Sequence, residues 1–220
     1  MIKMLKNKIQ FAILAGGKSS RFGGDKLDYL INGKTLLQQT IEKIKDCSDF
    51  PILIIGKNNK ISMPNVELYN DIQLGSGPLR GIYTALNVAS AEYLFIIAGD
   101  MPFIQPALTN YMSSFIRFKK HAILPLNKGF YEPLFAIYHK SLTHHFETYL
   151  KRERYKISES LENIDKIEIS EDLWRQYDPH GLSFYNINTR NDLPIDTKTQ
   201  FPWIVTKKIK VEKAFLYNKI

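Results

Sequence analysis

The sequence predicts an α/β protein built on a mostly parallel sheet, and three observations predict it. Short, continuously apolar runs recur over residues 9–14, 52–55 and 93–98. Runs of this kind suit strands buried on both faces, as in a parallel sheet covered by helices. Segments with helical spacing separate them, as with Leu36, Leu37, Ile41 and Ile44. Each run also stops at glycine (Gly16-Gly17, Gly56, Gly99), which marks the loops where an open α/β sheet holds its ligands.

In chain order, strands are expected over 9–14, 52–55, 66–69, 93–98, 122–126, 133–138 and 184–188, with Pro51 opening the second. Helices are expected over 36–44, 81–91, 108–118, 143–150 and 158–164. Residues 1–195 read as a single domain. After Asp192 the pattern degrades, and 196–220 reads as a basic tail or extension carrying Lys198, Lys207, Lys208, Lys210, Lys213 and Lys219.

Composition excludes several classes. With 44% hydrophobic and 12% aromatic residues, the chain is not intrinsically disordered. The single cysteine, Cys47, excludes a disulfide framework and a cysteine-based zinc site, and the five histidines show no metal-ligand spacing. No run approaches about 18 apolar residues, so no membrane span is expected. The apolar run over 11–15 is too short for a signal peptide, and a cytoplasmic protein is the expectation. The net charge of +8, from 30 Lys+Arg against 22 Asp+Glu, asks for an anionic partner. Nucleic acid is not the expected one, because no RNA-recognition or KH signature is present.

The residues that follow strands carry the chemistry. LAGGKSSRFGGDK, residues 14–26, places four glycines, two serines, Arg21 and Lys26 directly after a strand. Glycines let successive N–H groups point at one anion, Arg21 can grip a phosphate in two places, and Lys26 adds a point charge. The stretch reads as a polyphosphate loop, although it matches neither GxxxxGK[ST] nor GxGxxG. AGDMP, residues 98–102, ends the strongest strand with Asp100, a candidate Mg²⁺ ligand once a polyphosphate loop stands beside it. NDIQLGSGPLRG, residues 70–81, sets Asp71 after a strand, with Gly75, Gly77, Pro78 and Gly81 shaping a loop before a helix. In NINTRNDL, residues 186–193, Asn186 and Asn188 alternate in a strand and offer amide oxygens to a metal, while 189–192 equally suits a helix cap. Glu132 at a strand start faces either the cleft or solvent. Cys47 is read as buried and inert, and His144-His145 as a solvated helix face. No Ser-His-Asp or GxSxG arrangement is present.

Taken in order, LAGGKSSRFGGDK, Gly33-Lys34, GPLRGI, GDMPF, EPLFAIY and NINTRNDL resemble the molybdenum cofactor guanylyltransferase family over about residues 9–193. The resemblance implies a Rossmann-like three-layer α/β/α nucleotidyltransferase fold. It implies GTP contacts at Leu14, Ala15, Gly16, Gly17, Lys26, Asp71 and Asp100, with Asp100 the Mg²⁺ ligand and Asn188 a helper. Related cytidylyltransferases more often have LAAG where this chain has Leu14-Ala15-Gly16-Gly17, which favours GTP over CTP. Gly56 stands where the family has an asparagine, and Arg190 where it often has proline. Residues 152–155 loosely match the family's basic segment for the pterin substrate, which makes Arg154 a candidate there. The implied partners are GTP and molybdopterin or Mo-molybdopterin, with contacts to other molybdenum-cofactor biosynthesis proteins.

The reaction expected from this likeness is attack of the acceptor's phosphate on the α-phosphorus of GTP, with Arg21, Lys26 and Asp100 as the catalytic groups. A phosphate monoester is already largely dianionic at neutral pH, so no general base is needed, in keeping with the lack of one. The rival readings are a transferase using CTP or a sugar- or alditol-phosphate acceptor, a silent nucleotide-binding adaptor, and an RNA-binding protein.

Overall fold

The computed structural model describes residues 6–16, 26–31, 33–56, 61–72, 77–189 and 192. Gly17, Arg21, Asn58, Asn59, Gly75, Arg190 and the tail over 196–220 lie outside the described residues, as does the expected domain boundary at 195/196. The described residues up to Asn188 belong to one compact unit. In the second unit, which starts at Thr189, the Thr189 N and Oγ1 donate to Asp192 Oδ2 at 2.7 and 3.1 Å.

The first unit begins with β1 (Ile9–Leu14), the ribbon β2 (Leu30–Ile31) and β3 (Lys34–Thr35), and α1 (Leu36–Ile44). β4 (Ile52–Ile55), β5 (Val66–Tyr69), α2 (Gly77–Val88), β6 (Tyr93–Ala98) and α3 (Pro106–Ser113) follow. Then come β7 (Ala122–Asn127), β8 (Phe130–Tyr131), β9 (Phe135–His139), α4 (Leu142–Lys151), α5 (Ile157–Ser160), β10 (Lys166–Ile169) and α6 (Glu171–Trp174). The main sheet runs β10-β7-β9-β6-β1-β4-β5, with β8 paired to β7. β5, β4, β1 and β6 are parallel neighbours, as are β10 and β7, while β9 runs against both β6 and β7. The sheet is therefore mixed but mostly parallel.

Side chains alternate between its two faces, as strand geometry requires. Phe11, Ile13, Phe95 and Ile97 pack with Leu37 and Ile41 of α1, Leu108 and Met112 of α3 and Trp174 of α6. Ala12, Leu53, Leu94 and Ile96 pack with Leu79 and Ile82 of α2, Leu142 and Phe146 of α4 and Ile157 of α5. The result is a three-layer α/β/α sandwich. Gln10, buried within β1, satisfies its amide by donating to Pro51 O at 2.9 Å and accepting from Ser90 N at 2.8 Å. α1 starts on a capping box: Gln38 N donates to Thr35 Oγ1 and Thr35 N to Gln38 Oε1. Among the described residues, no helix is long and apolar enough to cross a membrane.

Several expected elements differ. α2 opens at Gly77, not 81, because Pro78 fits the first turn of a helix, where its missing N–H costs nothing. The helix expected over 108–118 is α-helical to Ser113 and 3₁₀ from Ser114 to Phe118. There Ser113 Oγ and Ser114 Oγ donate back to Thr109 O and Tyr111 O, competing with the regular ladder. The helix expected over 158–164 is a single turn, followed by β10, which the period did not reveal. The strand expected over 184–188 is not one. Leu182–Phe184 forms a 3₁₀ turn held by the buried Asp178, whose carboxylate accepts from Leu182 N and Ser183 N, and the extended residues beyond it join no sheet. Finally, β9 is antiparallel because Lys128 and Gly129, with φ of 52° and 81°, close a tight hairpin between β7 and β8 that sends the chain back.

Candidate functional site

From β1 the sheet grows outward through β4 to β5, and β6 then returns to the other edge of β1. This reversal of strand order opens a crevice at the carboxyl ends of β1 and β6, the place where open α/β sheets bind ligands. Leu14 ends β1 there. It is tied on one side by Gly99 N donating to Leu14 O at 3.0 Å and on the other by Ala15 N donating to Ile55 O at 2.7 Å. The chain then passes through Gly16 so close to Gly56 that a Cβ on Gly56 would sit 2.5 Å from Gly16 N. Gly56 also has a φ of +121°. Backbone meets backbone here, so the position rejects the asparagine that the family pattern has in this place.

Asp71 closes in from β5. Its Oδ2 lies 3.1 Å from where a side chain on Gly16 would begin, and it accepts from Arg80 Nη2 at 3.2 Å. The loop is fixed by Thr84, whose Oγ1 accepts from Ile72 N and donates to Arg80 O. Asp71 Oδ1 has no partner among the described residues. Arg80, on the first turn of α2, is a site residue that the sequence reading passed over. Gly77, Pro78 and Gly81, expected in a loop, are helical.

Across the crevice, Lys26 opens the 3₁₀ turn Lys26–Asp28 and donates from Nζ to Asp100 Oδ2 at 2.5 Å. The two residues are 74 positions apart, and both side chains are largely buried. Asp100 sits in the turn after β6, and its carbonyl accepts from Ile187 N at 3.0 Å. That bond brings the 186–188 segment alongside. Asn186 Oδ1 is buried with no hydrogen-bond partner among the described residues, whereas Asn188 is exposed.

These donors suit Mg²⁺, which takes one or two protein oxygens and completes its shell with water and substrate phosphates. Asp100 supplies a carboxylate, and the orphaned Asn186 oxygen is an acceptor that a cation would satisfy. Among the described residues, no group of three or more His, Cys, Asp or Glu could hold a metal by itself, so a metal here would rely on phosphate oxygens.

Arg154 lies beyond the end of α4. Its guanidinium lies over Tyr149 and donates to Glu159 Oε2 from Nε and Nη2 at 3.3 and 3.0 Å. Cys47 is buried with its Sγ 3.7 Å from Thr109 Oγ1, and burial raises its thiol pKa. His144 is solvated, while the half-buried His145 donates from Nε2 to Ser160 O at 2.7 Å.

A family model for the MobA-like NTP transferase domain matches residues 11–166, spanning both sides of this crevice. The chain belongs to the MobA-like NTP transferase family. A probable molybdenum cofactor guanylyltransferase of Natranaerobius thermophilus is 39% identical over 198 residues, covering 86% of this chain and 95% of its own length. A probable molybdenum cofactor guanylyltransferase of Thermococcus gammatolerans is 36% identical over 192 residues, covering 83% and 95%. The crystal structure of molybdopterin-guanine dinucleotide biosynthesis protein A from Archaeoglobus fulgidus aligns with a TM-score of 0.72 at 27% identity, over 83% of this chain and 94% of that one. Within this family of nucleotidyltransferases, the pairing of Lys26 with Asp100 joins the two loops that the sequence singles out.

Proposed function

We propose that the chain transfers GMP from GTP to the terminal phosphate of molybdopterin, or of molybdopterin already carrying molybdenum. The products are the guanine dinucleotide form of the cofactor and pyrophosphate. The observation that carries this reading is the Lys26–Asp100 pair at the strand-order reversal. The names of the relatives support guanine as the base and molybdopterin as the acceptor.

An oxygen of the acceptor's phosphate forms the new bond to the α-phosphorus of GTP, and the bond to the β,γ-pyrophosphate breaks. The chain's task is to bring two anions together and hold them in line. The Gly16 backbone N–H, with Gly17 and Arg21 of the same loop, receives the triphosphate, while Ala15, whose N–H is bonded to Ile55 O, holds the start of the loop against the sheet. Lys26 turns from Asp100 to the phosphates and takes up the charge that builds on the leaving pyrophosphate. Asp71, held by Arg80, presents its remaining oxygen to the guanine or ribose. Asp100 would hold Mg²⁺, with the amide oxygens of Asn186 and Asn188 as candidates for its further ligands; bound there, the metal supplies charge neutralisation between the phosphates.

The test is pyrophosphate release with GTP, CTP or ATP in the presence of molybdopterin and Mg²⁺. GTP is expected to be preferred. Lys26→Ala and Asp100→Ala should each lower turnover by about two or more orders of magnitude, the scale of losing one strong electrostatic group, with the circular dichroism spectrum unchanged. Preference for CTP, or full turnover in either variant, would overturn the assignment.

A further inference from the structure

The crevice has a second side. Asp71, Arg80 and Gly16 gather at the ends of β1, β4 and β5, and Lys26 and Asp100 stand at β6. If the nucleotide occupies that half, its reaction partner must come to Asp100 from the ends of β9 and β7, which lie beyond β6 in the sheet.

Glu132 is built into that end. Ala98 N, the last residue of β6, donates to Leu134 O at 2.9 Å. Glu132 N donates to Pro125 O and Phe135 N donates to Glu132 O, both at 3.0 Å, so its backbone is fixed from both neighbouring strands. Asn127 Nδ2 donates to Glu132 Oε1 at 2.8 Å and orients the carboxylate. Oε2 has no hydrogen-bond partner among the described residues, and no lysine or arginine among them pairs with the group. The side chain is half-buried, and burial raises its pKa against the pull of the Asn127 bond. A carboxylate kept partly out of water with no ion pair, only the field of nearby Lys128, destabilises a fold unless something else requires it. Two residues earlier, in β8, Phe130 pairs across the hairpin with Asn127, the residue that holds Glu132, and is 78% exposed, the most exposed large apolar side chain described.

We propose that Glu132 and Phe130 seat the heterocycle of the acceptor, and that Glu132 is a specificity residue for it. This rests on the reaction proposed above. A pterin carries a ring N–H and an amino group side by side on one edge, a pair of parallel donors that a carboxylate accepts together, and its flat ring stacks on an exposed phenyl face. The sign of the charge also orients the acceptor. Glu132 repels the phosphate end, which is left facing Lys26, and attracts the donor edge. Glutamine at 132 keeps the size and the bond with Asn127 but turns one acceptor into a donor that opposes the pterin amino group.

The test uses the full chain with two measurements. The first is the steady-state KM for molybdopterin at saturating GTP, and the second is a fluorescence titration with 6-hydroxymethylpterin as a free probe. Glu132→Gln is expected to raise the KM and weaken probe binding by about tenfold or more, the loss of a hydrogen bond to a charged group. Phe130→Ala should weaken both severalfold. The Kd for GTP should stay that of the wild type, and melting temperatures check folding. Unchanged KM and probe affinity in both variants would overturn the assignment of this seat while leaving the reaction standing. If the wild type releases no pyrophosphate from GTP with molybdopterin, the proposed reaction fails, and this inference fails with it.

Discussion

Gly56→Ala tests the packing on which the nucleotide side of the crevice depends. The new Cβ would lie 2.5 Å from Gly16 N, 2.8 Å from Gly16 Cα and 3.0 Å from Ala15 C. Ordinary contacts between such atoms lie near 3.5–4.0 Å, and these are backbone atoms with no rotamer to escape into. Overpacking of this kind costs about 1–3 kcal/mol. The φ of +121° adds about 1–3 kcal/mol for any residue with a side chain. The sum centres on about 4 kcal/mol, which for a chain of this size lowers the melting temperature by on the order of 10 °C. Gly33→Ala is the control. Gly33 also has a positive φ, +77°, but nothing lies within 4 Å of its added Cβ, so only the backbone cost of about 1 kcal/mol remains. Relief of the clash in Gly56→Ala must come from shifting Ala15–Gly16, so GTP affinity should fall by about tenfold or more, while Gly33→Ala keeps it. Thermal unfolding and isothermal titration with GTP read both quantities. Melting within about 3 °C of Gly33→Ala, together with unaltered GTP binding, would refute the reasoning.

Thr35→Ala removes the capping box of α1 and should cost about 1 kcal/mol in urea unfolding, and Thr35→Ser should recover most of it. Trp174→Phe deletes the indole N–H that donates to Leu126 O at 2.7 Å and leaves a void in a fully buried site; a loss of about 2–4 kcal/mol is expected by the same assay. For Glu132, burial raises the folded-state pKa above its unfolded value. The folded chain therefore holds the extra proton over that interval, and stability falls as pH rises through it and stays lower above it. Glu132→Gln should accordingly melt higher than the wild type at pH 7.5 and lose that advantage below about pH 4, where both forms are neutral. A lower melting temperature at pH 7.5 would contradict the sign.

Three strands of the parallel half, β1, β4 and β6, were legible because they are buried on both faces. β1, β4 and β6 have the bounds expected from their apolar runs, α1 has those expected from its period, and the edge strand β5 also has its expected bounds although it carries Glu67 and is half-exposed. Most other short or half-exposed elements were not legible. Glu67 and Glu168 show that edge strands can carry charge, and β10 (Lys166–Ile169) gives no continuous apolar run at all. The turn at Lys128–Gly129 carried a usable signal, a glycine between two apolar runs, and reading it would have made β9 antiparallel.

By itself, the sequence determined the layer architecture, since an apolar run of five or six residues has few ways to be buried, and the family, since its glycines and charges keep their order along the chain. Only the tertiary structure decided which of those charges meet. Lys26 and Asp100 lie 74 residues apart, and Arg80 reaches Asp71 only because α2 begins four residues earlier than its period suggests. Side-chain orientation at 186–188 was likewise beyond the sequence. The alternation put Asn186 and Asn188 on one strand face, but the segment joins no sheet, and the bond from Ile187 to the Asp100 carbonyl buries one amide oxygen and leaves the other residue exposed. Local pattern reports the surroundings a residue needs, whereas partners distant in sequence are fixed by the order of the strands, here by the return of β6 to the free edge of β1.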